Sequence, residues 1–153
     1  MKCLILGVIS LVMGVLYAAN FNTYYNDRFN YQIEYPSFLI PQGESENSDG
    51  QVFRTKDVEL RVWGGYYPDT IDESLSAAKA DIKDYRITDV DKKNNSYVLI
   101  LENANRIVYA KTIYVCDENI NIRIYYPKND KAKWNSLIRQ LTKSFKFIGE
   151  CKK

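Results

Sequence analysis

The stretch "RIVYAKTIYVCDENINIRIYYP", residues 106–127, decides the fold. In its second half Ile120, Ile122, Ile124 and Tyr126 alternate with Asn121, Arg123 and Tyr125. Such a period of two marks a strand with one face buried. Arg106 to Cys116 reads as the strand before it, and the polar pair Asp117-Glu118 leaves room only for a hairpin turn to Asn119–Tyr126. Strands joined so tightly must be antiparallel, because a parallel pair needs a crossover of a dozen or more residues.

Working outward, the same grammar recurs. Phe29, Tyr31, Ile33 and Tyr35 alternate with Asn30, Gln32 and Glu34, predicting a strand from Arg28 to Tyr35 that Pro36 ends. A polar loop, PQGESENSDG, closes on Asp49-Gly50. Gln51–Thr55 and Val58–Trp63 form a hairpin around Lys56-Asp57, with Val58, Leu60 and Val62 on one side and Glu59, Arg61 and Trp63 on the other. GGYYPD is expected to break the sheet. Thr70-Ile71-Asp72-Glu73 has the form of a capping box, so a helix should start there, carrying Ile71, Leu75, Ala78 and Ile82 on one stripe to about Asp84. Tyr85–Val90 reads as a short strand before the turn DKKNN, and the apolar run Tyr97–Leu101 as a strand buried on both faces. A second helix over residues 130–144 aligns Trp134, Leu137, Ile138 and Leu141, followed by Phe145. Hairpins and one-sided alternation predict an α+β domain: an antiparallel β-sheet with two main helices packed against it. The regular βαβ alternation of a doubly wound parallel fold is absent.

The chain opens MKCLILGVISLVMGVLYAAN. Lys2 precedes an apolar run from Leu4 to Leu16, and small residues follow at Ala18 and Ala19, the three parts of a secretory signal peptide. The apolar core is short for a membrane span, which makes a retained anchor the alternative rather than the expectation. Cys3 lies ahead of that core, where it cannot serve as a lipidation point behind it. Residues 1–19 are therefore read as a signal peptide cleaved after Ala18 or Ala19, residues 20–26 as a short leader, and 27–153 as one domain of an exported protein, periplasmic in a Gram-negative cell. Lys2 is the only charged residue among the first 19, so the remainder carries 20 basic against 19 acidic side chains. That balance argues against a dedicated nucleic-acid binder.

Cys116 and Cys151 remain once the leader is removed. In an oxidising compartment two cysteines read best as one disulfide, with two free thiols as the alternative. Neither a C-x-x-C nor any histidine is present to support a redox role.

The segments "NDRFNYQIEYPSFL", "NSDGQVF", "VELRVWG", "RIVYAK" and "IRIYYP" with "KAKWNSLIRQLTKSFK", taken in order, resemble a group of exported bacterial proteins of uncharacterised function whose fold is similar to the PsbP-like and DcrB-like α/β sandwich. The resemblance spans residues 26–147. It implies that fold and an export route, and carries no active site to transfer. Asn30 stands where that group commonly has glycine, and the stretch Leu99–Asn105 is thinner than its counterpart.

Zero histidines exclude Ser-His-Asp and Cys-His catalysis and His-based zinc sites. Gly64-Gly65 is not a phosphate-cradling loop, and Asp89-Val90-Asp91 departs from a calcium loop at the next two positions. Glu44, Glu46, Asn47 and Asp49 have the oxygens for a weak calcium site, but a polar Asp-Gly turn accounts for them. No cofactor or metal is implied. Arg61, Trp63, Tyr66 and Tyr67 form the candidate binding surface, since exposed Trp, Tyr and Arg supply protein-binding hot spots and aromatics stack on sugars. A helix covering this face, with Trp63 in the core, is equally compatible with the pattern. The expected function is a non-enzymatic binding or accessory role with a protein or envelope partner. The alternatives are an immunity or inhibitor protein against an exported toxin, or an envelope hydrolase working through carboxylates alone.

Overall fold

A computed structural model describes residues 20–66 and 70–151. The predicted signal peptide and Tyr67 lie outside the described residues. In chain order the elements are β1 (Phe21–Asn26), β2 (Tyr31–Pro36), β3 (Ile40–Glu44), β4 (Gly50–Arg54), β5 (Glu59–Tyr66), α1 (Ile71–Asp81), β6 (Arg86–Lys93), β7 (Ser96–Glu102), β8 (Arg106–Val115), β9 (Glu118–Pro127), a single 3-10 turn, α2 (Lys131–Ser144) and the two-residue β10 (Lys146–Phe147).

The strands form a seven-stranded sheet of order β3-β4-β5-β9-β8-β7-β6 and a small sheet of order β1-β2-β10, with every pairing antiparallel. Period-two alternation divides the large sheet between two cores. Ile107 and Val108 are neighbours on β8, yet each is buried in a different one. On one face Leu60 and Val62 of β5 and Ile120, Ile122, Ile124 and Tyr126 of β9 meet α2 and β2. On the other, Tyr97, Leu99 and Leu101 of β7 and Val108 and Ala110 of β8 meet Leu75 and Ile82 at the first helix. The architecture is two helices packed on antiparallel sheets, an α+β sandwich.

Both helices follow from their sequence. Thr70 caps α1 through a complete capping box with Glu73, which holds the Glu73 carboxyl below its usual range through the Thr70 backbone and hydroxyl hydrogen bonds. In α2, Trp134, Leu137, Ile138 and Leu141 are all buried, each contributing about 1.5–3 kcal/mol by leaving water.

Several boundaries differ from the sequence reading. The expected leader is β1, paired along its whole length with β2 and tied down by Asn26, which is 1% exposed. Its side chain accepts from the Phe29 N–H and donates to the Ser48 carbonyl. The loop after Pro36 contains β3, and β5 runs on through Gly64 and Gly65 to Tyr66 instead of breaking there. A Cβ on Gly64 would overlap the Phe29 ring, so the glycine lets a strand pass close to the core. β6 extends to Lys93. The Tyr97–Leu101 run is not buried on both faces: Tyr97, Leu99 and Leu101 are buried, while Val98 and Ile100 are only half-buried. α2 packs on β2 and β9, and this outer strand pair lies past β8 from it. The β8–β9 turn falls on Cys116-Asp117, one residue earlier than expected.

Cys116 is disulfide-bonded to Cys151, with Cα atoms 5.4 Å apart. The bridge joins the tip of the β8–β9 hairpin to the chain just past β10. Both cores and the bridge lie within residues 20–151.

Candidate binding face

The α1 side of the large sheet is only partly covered. α1 sits over β7 and β8, and toward β3 the sheet lies open. Register fixes what this face displays. Glu59, Arg61 and Trp63 of β5 stand opposite Tyr125, Arg123 and Asn121 of β9, and Ala110 and Thr112 of β8 stand opposite Arg123 and Asn121. Directly opposed residues share a face, so a row of polar and aromatic groups crosses three strands.

Arg123 is the centre of this row. Its side chain is only 11% exposed, and its Nη1 donates to Asp81 of α1 at 2.6 Å. The guanidinium lies 5.5 Å from the centre of the Trp63 ring, and Nη1 also reaches the Tyr125 hydroxyl at 3.4 Å. Burial works against its charge, but the Asp81 and Tyr125 contacts outweigh it and hold its pKa above the ordinary arginine value. Its Nε is buried without a hydrogen-bond partner. Beyond it, Thr112 Oγ1 donates to Asn121 Oδ1 at 2.7 Å, and Asn121 Nδ2 donates to Asn119 Oδ1 at 2.6 Å. Polar groups that bury themselves in this way must satisfy one another, and this chain of contacts fixes their geometry.

Two depressions flank Trp63, Asp81 and Arg123. One, of about 520 Å³, runs over β3, β4 and β5, with Arg54, Arg61 and Val52 on its floor. The other, of about 300 Å³, runs under α1 to Thr112 and Asn119. Arg54 and Arg61 share one carboxylate: Arg54 Nε meets Glu59 at 2.7 Å, and Arg61 Nε bonds the other oxygen of the same group. Arg61 also lies over the Tyr125 ring, 5.8 Å from its centre. The far wall is the loop after β3. There the Asp49 carboxylate accepts from the Ser45 hydroxyl at 2.5 Å and Asn47 Nδ2 at 2.9 Å, and Glu44 accepts from the Tyr24 hydroxyl at 2.6 Å. These oxygens serve a polar turn.

Of the four residues singled out from the sequence, Tyr67 lies outside the described residues, and the other three do not form one surface. Arg61 and Trp63 share the open face. Tyr66 is on the opposite face, 67% exposed, its ring 5.3 Å from that of Phe29. Trp63 is neither free nor core: it is half-buried, with the Arg123 guanidinium against its ring. Sequence reasoning missed Arg123, Asn121, Thr112 and Asp81 as members of the site. The signal for the first two was present as the polar half of the β9 alternation.

No protein-family model matches the sequence, and comparison with curated proteins finds no significant match. Solved structures that share the fold include two of low sequence identity. The solution structure of cyanobacterial PsbP (CyanoP) from Synechocystis sp. PCC 6803 superposes with a TM-score of 0.65 at 16% identity, covering 92% of this chain and 98% of that one. The crystal structure of the Saccharomyces cerevisiae Ran-binding protein Mog1p gives a TM-score of 0.61 at 11% identity, covering 86% and 97%. Both are α/β sandwiches of the PsbP-like kind, and with its small sheet and α2 on one face and α1 on the other, the present chain has the PsbP-like fold.

Proposed function

We propose that this chain is an exported, non-enzymatic binding domain that engages a protein partner through the open sheet face around Trp63 and Arg61. The observation carrying the proposal is the half-covered sheet: α1 leaves β3, β4 and β5 bare, and the bare area presents an aromatic ring and guanidiniums held in place by ion pairs with Glu59 and Asp81 and by the contact of Arg123 with the Trp63 ring. Such pre-positioned Trp and Arg side chains lose little freedom on association. A structural neighbour described as Ran-binding supports the use of this fold for protein contacts. The apolar run from Leu4 to Leu16 and the Cys116–Cys151 bridge support export.

The test is affinity capture from a cell-envelope extract with immobilised residues 20–153, read by mass spectrometry. Wild type is compared with Trp63→Ala and with Tyr66→Ala on the opposite face. A protein retained by wild type and Tyr66→Ala and lost with Trp63→Ala is the expected result. Empty eluates from all three would reject the binding role.

A further inference from the structure

The near-neutral charge of the domain conceals a separation. α2 carries Lys131, Lys133, Arg139 and Lys143 and no acidic residue, and Lys146 follows on β10. All five are exposed. The seven ion pairs among the described residues take their cations from elsewhere, so these five are unmatched. On the opposite side of the molecule α1 carries Asp72, Glu73 and Asp81 against Lys79, and there Asp72 and Asp81 are matched by Lys92 and Arg123.

The cations border a structured feature. Between α2 and the small sheet runs a groove of about 590 Å³, lined by Arg139, Lys143 and Lys146 and by one acid, Glu34. Glu34 is fixed in place: its N–H donates to Ser144 Oγ at 2.8 Å, and its carboxylate accepts from Gln140 Nε2 at 3.4 Å. One exposed ring lies beside the first turn of α2 and another beside the groove wall. Phe38 is 39% exposed with the Lys133 ammonium 4.9 Å from its ring centre, and Tyr25 is 56% exposed, paired in register with Gln32 on the groove wall.

We propose that this face docks on an anionic phospholipid surface, with headgroup phosphates seated in the α2–β2 groove. Unpaired lysines beside exposed rings suit a membrane interface, where aromatic rings sit at headgroup level and each nearby cation adds attraction to an anionic leaflet. The apolar side of α2 is committed to the core, so the contact is peripheral, and among the described residues no helix is long and apolar enough to cross a membrane. Docked this way, the domain turns its α1 side and the Trp63 face away from the lipid.

The experiment is co-sedimentation of residues 20–153 with vesicles of phosphatidylglycerol and phosphatidylcholine, against vesicles of phosphatidylcholine alone. Binding is expected only to the anionic vesicles, and it should vanish near 0.5 M salt, where charges more than roughly 4 Å apart are screened. Arg139→Glu with Lys143→Glu should weaken partitioning by about tenfold or more, and Arg139→Gln with Lys143→Gln by less. Equal binding to both vesicle types, no binding to either, or anionic binding that survives the charge reversal would overturn the proposal. So would capture by heparin without vesicle binding, which would point to a different polyanion. The salt series on wild type guards against a variant that folds poorly.

Discussion

The Arg123 guanidinium rests against the Trp63 ring, 5.5 Å from its centre, so the most buried charge of the open face is also what holds its aromatic group. Asp81 locks the arrangement from α1, at the cost of tying a sheet residue to a helix end. Because Asp81 itself is 65% exposed, water replaces part of what it supplies. Asp81→Asn should therefore lower stability by about 1 kcal/mol. Arg123→Ala should cost about 2–3 kcal/mol, since it also strips the packing from Trp63. Urea midpoints check both, and a red shift of tryptophan emission in Arg123→Ala would identify Trp63 as the group released.

The cysteine bridge closes a loop with a sequence separation of 35. Loop-closure entropy for that length predicts that the Cys116→Ala, Cys151→Ala double variant loses about 3–4 kcal/mol. Cys116 sits at a φ of 55°, a strained value for any residue with a Cβ, so alanine keeps that strain and it cancels in the comparison. Urea denaturation of the oxidised and double-variant proteins measures it.

Alkali should unfold this protein from within its tyrosines. Burial, followed by the hydrogen bond to Glu44, pushes the Tyr24 hydroxyl up to about 12. Burial, followed by the Asp91 charge, takes Tyr109 to about 12, and burial raises Tyr31 and Tyr126 as well. In the unfolded chain these groups ionise near 10, so above that pH the unfolded state binds fewer protons than the folded one. Stability from these groups is complete below about pH 10 and falls as pH rises toward about 12. Urea midpoints at stepped alkaline pH should drop steeply across that window, less steeply in Tyr24→Phe. A flat profile would contradict the burial assigned to these rings.

Gly50 sets the spacing of β4 and β5. A Cβ there would overlap the Val62 carbonyl oxygen and crowd the Trp63 Cα, both of them backbone atoms that cannot swing aside. Gly50→Ala should destabilise by about 3 kcal/mol, the upper part of the overpacking range. Gly43, with open space around it but a φ of 94°, should lose less on the same change, about 1 kcal/mol. Thermal melts of the two variants test the order.

How far the sequence could be read follows from where its alternation is clean. The β8–β9 hairpin was legible from its apolar period and turn residues, α1 from its capping box and apolar stripe, and α2 from its apolar stripe alone. β1 was not, because NFNTYYN has no apolar alternation of its own, and it becomes a strand through its pairing with β2. Reading Arg61, Trp63, Tyr66 and Tyr67 as one surface rests on a strand that ends at Trp63. Once β5 continues, parity alone sends Tyr66 to the other face. The contact of Arg123 with Asp81 joins residues 42 apart, and nothing local in either segment announces it.

The Cys116–Cys151 bridge also decides how the domain would bear mechanical load. Tension applied at the C-terminus would otherwise peel away β10, which pairs with β2 at only two positions. With the bridge closed, the same pull passes from Cys151 directly to the β8–β9 hairpin, whose ten-residue strands are paired along their length in the middle of the large sheet. A tether attached beyond residue 151 would thus grip the molecule by its strongest hairpin, and reduction would move that grip to its weakest strand.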